Sequence, residues 1–148
     1  MSLITIDPGN NTGWALFEDS RLIRAGVCPF ESFTSVLSGV VLAGDTVLIE
    51  MPRHYPRREK GDVNDLLDLA MRVGMLKQWC ESRGASVKLV WPRTWKGTVP
   101  KDVHNQRVLH ALGQFEITLL PLRLRAKTYD HNMLDAVGMG LWELRRLR

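Results

Sequence analysis

The stretch Ile4-Thr5-Ile6-Asp7-Pro8-Gly9-Asn10-Asn11-Thr12-Gly13-Trp14-Ala15-Leu16-Phe17 decides the fold. Ile4 and Ile6 alternate with Leu3 and Thr5 in a β-prone run apolar enough for a central strand. Pro8-Gly9-Asn10-Asn11 supplies residues that permit a tight turn, and residues 13–17 return as a second strand, so the whole reads as a hairpin. Asp7 then stands where an apolar strand breaks into its turn, over a sheet end and partly buried. An acid placed there needs a partner. Asp before Pro-Gly is also a common turn initiator, and the rest of the chain must decide between a turn former and a chemical group.

Outward from the hairpin, residues 21–27 read as a third strand closed by Cys28-Pro29. Residues 30–42 have helical spacing through Phe33, Val36, Leu37, Val40 and Val41. Thr46-Val47-Leu48-Ile49-Glu50 is a short apolar strand, and Glu50 stands just before Pro52 as Asp7 stands before Pro8. Two strands end in acids. A charged loop over 53–62 leads into a long helix over 63–83 whose apolar positions, Leu66, Leu67, Ala70, Met71, Val73 and Leu76 among them, occupy more than one face. Such a helix must be covered twice, once by its own sheet and once by another surface, of which a second subunit is the simplest. A fifth strand over 86–90, a Trp-rich loop over 91–97, a helix over 100–112, a connection over 113–128 and a last helix over 131–147 complete the chain. The order predicts an α/β fold, a mixed five-stranded sheet flanked by helices, forming one domain over residues 1–148.

The bulk properties agree. A chain of 148 residues with 45% hydrophobic and 24% charged residues can bury a core without disulfides or a structural metal. No apolar stretch is long enough to span a bilayer, and no secretory signal precedes the first strand, so a cytoplasmic protein without membrane partners is expected. Cys28 and Cys80 lack metal-site spacing and are expected to be reduced thiols without chemistry. The net charge of +4 suits a polyanionic partner.

Asp130-His131-Asn132-Met133-Leu134-Asp135 opens the last helix, whose continuation Ala136-Val137-Gly138-Met139-Gly140-Leu141 is apolar and small. Gly138 and Gly140 lower helix propensity, which is tolerable if a sheet face packs against that backbone. If this helix crosses the first and fourth strands, Asp135 comes over the ends carrying Asp7 and Glu50. Three converging carboxylates repel one another unless cations neutralise them. Mg2+ or Mn2+, paired in a two-metal site, are the natural partners of such oxygens and support phosphodiester cleavage.

ITIDPGNNTGW, VLIEMP and HNMLDAVGMGL together resemble the successive motifs of the RuvC-type Holliday-junction resolvases, in order and spacing, over nearly the whole chain. Those are members of the RNase H-like nuclease superfamily. The resemblance implies an RNase H-like fold acting as a homodimer, each subunit nicking one strand of a four-way or branched DNA with Mg2+ or Mn2+ and no nucleotide cofactor, in a bacterial or phage-infected cell. The WPRTWKG segment and compact length resemble phage-encoded members. Carried over by position, Asp7 is the central metal ligand, Glu50 the second and Asp135 the last-helix acid. The family places an acid or His three residues before that Asp, where this chain has Asn132. His131, four residues before, is expected as ligand or proton shuttle; a helix cap is the plainer alternative for it, and Asp130 or Asn132 are the other candidates for the fourth ligand.

Arg53, Tyr55, Arg57, Arg58 and Lys60 follow Glu50 and are expected to hold phosphates, with Tyr55 stacking on an unpaired base as an aromatic of that loop does in the family. Arg93, Lys96 and Lys101 match in kind the basic residues the family sets beside its carboxylates for the scissile phosphate, Lys101 in a catalytic role. Arg123, Arg125 and Lys127 widen the footprint. Rival readings are a nuclease for RNA:DNA hybrids or flaps and a non-catalytic scaffold that binds branched DNA. The DPGNNTG turn also resembles the first phosphate loop of actin-like and sugar-kinase ATPases, but those need two lobes where this length supplies one.

Overall fold

The computed structural model describes residues 1–53, 62–123 and 127–147. Strands β1 (Leu3–Asp7), β2 (Asn11–Glu18), β3 (Arg21–Pro29), β4 (Thr46–Glu50) and β5 (Ser86–Val90) form one sheet in the order β3-β2-β1-β4-β5. β2 lies antiparallel to both β1 and β3, whereas β4 is parallel to β1 and β5 parallel to β4. The mixed sheet and its opening hairpin are those expected from the sequence.

Period-2 alternation divides the core between the two faces. Ile4, Ile6, Trp14, Leu16, Val47 and Ile49 face one layer, where they meet Phe33, Leu37, Val73, Leu76 and Cys80. This layer contains α1 (Phe33–Leu37) and α2 (Val63–Ser82). Ala15 and Phe17 face the other layer and meet Val108, Met133, Leu134, Val137 and Leu141. That layer is built by α4 (Lys101–Ala111) and α6 (His131–Glu143), which follow the short α3 (Pro92–Trp95) and α5 (Gln114–Thr118). Thr5, a polar residue inside the central strand, faces α6 and donates to the Ala136 carbonyl at 2.6 Å, so its hydroxyl is satisfied at full burial.

Local chemistry explains where elements depart from expectation. The helix expected over 30–42 shrinks to a single 3-10 turn followed by α1. Its last apolar residues, Val40 and Val41, are buried from a turn instead, which leaves Leu42 57% exposed. The connection over 113–128 contains α5 and a small hairpin of β6 (Leu122–Arg123) and β7 (Thr128–Tyr129), elements too short for periodicity to reveal. Gly140 lies against the Phe17 ring on β2, as a sheet-packed helix requires. Gly138 instead faces α3 and α4. Both cysteines are buried and free, and burial pushes the Cys80 thiol up to about 12. Among the described residues, no helix is long and apolar enough to cross a membrane.

Candidate active site

Topology brings the acids together before any side chain is considered. β1 and β4 are adjacent and parallel, and their register pairs Ile6 with Ile49. One residue further, both strands present an acid at the same sheet end, Asp7 and Glu50. Ladder pairing stops there, with prolines at positions 8 and 52 that lack the N–H a further ladder bond needs. In open α/β sheets the carboxyl ends of parallel strands are where ligand crevices form. Here they border a cleft of about 340 Å³ lined by Asp7, Glu50, Arg53, Leu66 and Leu69 together with Pro8, Pro52 and Pro92.

The third acid arrives on α6. Gly13, register partner of Asp7 on β2, has no room for a Cβ against the Asn132 backbone, so its lack of a side chain lets the start of α6 settle on the sheet end. Asp130 caps that helix, its Oδ1 accepting from the N–H groups of Asn132 and Met133 at 2.9 and 3.4 Å. One turn on, Asp135 is buried at 7% exposure, beside Asp7 at 8%. The turn carrying Asp7 is braced by the Gly9 N–H to Asp7 carbonyl bond at 3.0 Å, and by Arg72 of α2, which donates to Asn10 Oδ1.

Lys96, at the end of α3, enters this group of acids. Its Nζ lies 3.1 Å from Asp135 Oδ2 and 3.7 Å from Glu50 Oε2. Trp95 donates its indole N–H to the same Glu50 oxygen at 2.7 Å. Burial, then the charges of Glu50 and Asp135, push the Asp7 carboxyl well above the usual carboxylate range, with Lys96 opposing them. Burial also raises Glu50 against the pull of Lys96. Burial works against the Lys96 charge, yet Glu50 and Asp135 together hold its pKa above the ordinary value. Among the described residues, three acids and one cation make an under-neutralised group.

Among the described residues, no three His, Cys, Asp or Glu side chains stand already gathered at metal-binding distance. The donor set nonetheless suits a hard divalent ion, being all carboxylate oxygen, with Asp7 and Asp135 buried and Asp7 and Glu50 lining the cleft.

The remaining expected residues fall in different places. His131 is exposed on the first turn of α6, and no hydrogen bond or ion pair joins it to the three acids among the described residues. The Asn132 amide instead stands at the Asp7 turn, 3.2 Å from where a Gly9 Cβ would be, and the Asp130 charge adds to the shift of Asp7. Arg53 lines the cleft and its guanidinium stacks 5.4 Å over the half-exposed Trp91. Arg93 and Lys101 are exposed on the segments flanking Lys96, and Arg123 and Lys127 on the small hairpin before α6. Tyr55, Arg57, Arg58, Lys60 and Arg125 lie outside the described residues.

One buried residue was absent from the sequence reading. His104 of α4 is 2% exposed, with Nε2 3.6 Å from Asp135 Oδ1. Burial lowers its pKa more than Asp135 raises it, so the ring is neutral near pH 7. The KDVHNQRVLH segment gives no signal for this, because the burial is imposed by residues on α3 and α6.

No protein-family model matches the sequence, and no curated protein is significantly similar to it. Solved structures do match. The structure titled "T. thermophilus RuvC in complex with Holliday junction substrate" superposes with a TM-score of 0.63 at 18% identity, over 96% of this chain and 92% of that one. The structure titled "Thermus thermophilus RuvC structure" gives 0.56 at 15% identity over the same shares. The chain thus has the RNase H-like fold seen in RuvC of T. thermophilus.

Proposed function

We propose that the chain is a structure-selective endodeoxyribonuclease that resolves four-way or branched DNA by paired, metal-dependent nicks. The observation that carries this reading is the convergence of Asp7, Glu50 and Asp135 at the carboxyl ends of β1 and β4, beneath the start of α6, with Lys96 the cation paired to them among the described residues. A fold likeness to a RuvC structure in complex with a Holliday junction substrate supports the same substrate class. Asp7, Glu50 and Asp135 would hold Mg2+ or Mn2+, with Asp130, His131 or Asn132 as the source of a fourth ligand. Such ions supply an activated water and a positive clamp on the leaving oxygen of a phosphodiester. Lys96, displaced from the acids, would then face the scissile phosphate, and Lys101, Arg93 and Arg53 would fix the flanking phosphates. Arg53 stacked on Trp91 also offers a planar surface at the cleft mouth. A second copy would cover the outer face of α2, where Leu67, Met71 and Met75 recur every fourth residue and are 48% to 61% exposed. A dimer gives each of two opposed strands its own site.

The test is cleavage of a labelled synthetic four-way junction with Mg2+, beside linear duplex and an RNA:DNA hybrid, using wild type and Asp7→Asn. Symmetric paired nicks on the junction, abolished in the variant while binding persists, are expected. Cutting of the hybrid alone would replace junction resolution with hybrid hydrolysis. No metal-dependent cutting of any substrate would overturn the active-site assignment.

A further inference from the structure

His104 sits at the centre of a small network that joins two of the three acids. Its ring packs edge-on against Trp95, with centroids 5.0 Å apart and planes at 68°. Trp95 in turn donates to Glu50. On the other side, His104 Nε2 approaches Asp135 Oδ1, while the second oxygen, Oδ2, is taken by Lys96. The two faces of the Asp135 carboxylate are therefore divided between an imidazole and a cation.

Two features at this point cost stability. Among the described residues, both ring nitrogens of His104 are buried without a hydrogen-bond partner, which leaves their desolvation uncompensated. Gly138, on the same face of α6 as Asp135 and one turn further on, lowers helix propensity relative to Ala. Its missing side chain admits Val108 and the Trp95 ring, with the His104 ring beside them. A Cβ there would stand 2.8 Å from Val108 Cγ2, 2.9 Å from Trp95 and 3.3 Å from His104 Nε2. A core that needed only volume would be served better by Leu or Met at 104, which bury no polar nitrogen. An imidazole aimed at a carboxylate from 3.6 Å needs only a small closure to reach hydrogen-bond distance, about 3 Å.

We infer that His104 is a positioning residue for Asp135: its Nε2–H closes on Asp135 Oδ1 and fixes the carboxylate so that Oδ2 faces the cation it shares with Glu50. The inference rests on the metal-site reading above. Partners of this kind orient ligand carboxylates from behind, and their loss weakens metal binding by about 10–100-fold. Lys96 takes Oδ2 while His104 Nε2 faces Oδ1, so the ring acts on the oxygen that the cation leaves free.

Mn2+ titration of wild type, His104→Gln, His104→Met and Asp135→Asn tests this, with thermal melting as the check on folding. Gln can place an amide N–H near the position of Nε2 and should keep Mn2+ affinity close to wild type. Met fills the volume without a donor and should lose about 10–100-fold in affinity while melting no lower than wild type. Met binding Mn2+ as tightly as wild type, with Asp135→Asn weakened, would overturn the role of His104 alone. A wild-type chain that binds no Mn2+ would overturn the metal-site reading itself. A second measurement needs no substitution at 104. Two-bond proton–nitrogen spectra of the metal-free chain should show a neutral His104 protonated on Nε2 and perturbed by Asp135→Asn; a proton on Nδ1, or no response, would overturn the contact.

Discussion

Two buried carboxylate sites in this molecule are built in opposite ways. Glu116 of α5 accepts the N–H of Leu22 and of Gly113 at 2.7 and 2.8 Å, and Arg146 clasps both of its oxygens at 2.8 and 2.7 Å. Those hydrogen bonds, Arg146 first, pull its pKa down to about 2. Arg146 also donates to the carbonyls of Ser20 and Ala111, so one ion pair ties the end of the chain to the β2–β3 hairpin and to α4. Asp7, Glu50 and Asp135 share Lys96 and one indole N–H, and their pKa values move upward at Asp7 and Glu50. The fold can satisfy a buried acid completely when that acid only holds structure. Where the described residues stop short, the acids stay under-neutralised, and their carboxyls are pushed towards the protonated form.

Replacing Asp7 should break the comparison most visibly. Asp7→Asn keeps the shape, removes a desolvated negative charge, and is expected to reduce junction nicking by at least about a thousandfold, ~4 kcal/mol of transition-state stabilisation. Metal-free stability should rise at the same time. The sign follows from the raised folded-state pKa. The carboxyl of Asp7 favours folding below its ordinary value of 3.8, and that contribution is lost as pH rises through the higher folded value. The stability advantage of Asp7→Asn should therefore widen with rising pH and close below about pH 4. Denaturant melts across pH would show it. A destabilised Asp7→Asn chain would mean that Asp7 is a structural acid like Glu116.

Glu116→Gln should do the reverse. Its depressed pKa means a stabilising contribution that is fully present above the ordinary 4.5 and lost as pH falls towards about 2. The shift corresponds to about 2 kcal/mol near neutral pH after allowance for solvent at Arg146, whose side chain is 25% exposed. The variant should be less stable by that amount above the ordinary value, converge with wild type in acid, and still cut junctions once folded. Lost cutting in a folded Glu116→Gln chain would join the two sites functionally.

Lys96→Met sharpens the contrast further. Without its one described ammonium the acid group should lose ~1 kcal/mol of metal-free stability, the side chain being 28% exposed. Mg2+ should then raise the melting temperature more than in wild type, since no internal cation competes for Glu50 and Asp135. An equal Mg2+ response in both chains would separate Lys96 from the metal position.

The legible part of this molecule is the part set by short-range pattern. Alternation in Leu3 to Asp7 and Thr46 to Glu50 gave two strands, Pro8 and Pro52 marked where pairing stops, and the sheet order then placed their acids side by side. Asp135 followed from the apolar, Gly-containing run after it. Lys96 was expected to face a phosphate, and no local pattern says that its ammonium lies 3.1 Å from Asp135 Oδ2. His104 was illegible because its burial depends on Gly138 and Trp95, far away in sequence. α5 and Glu116 were missed because the satisfaction of Glu116 depends on Leu22 and Arg146.

The smallest expected effects belong to exposed cations outside both carboxylate groups. Lys101 begins α4, Arg123 ends β6 and Lys127 forms the turn after it, all exposed to solvent. If each contacts a phosphate through water-accessible charge, its loss releases about one fewer counterion on binding, so each Ala substitution should lower the slope of log affinity against log salt by about 0.9. Four-way junction and linear duplex should weaken alike, because phosphate contacts carry no information about sequence. Lys101→Ala should depart from this pattern if it acts at the scissile phosphate, losing turnover on bound junction in addition to affinity. Arg123→Ala and Lys127→Ala should not. A Lys101→Ala chain that behaves like the hairpin variants in both assays would move Lys101 out of the site and leave Lys96 as the cation that carries its chemistry.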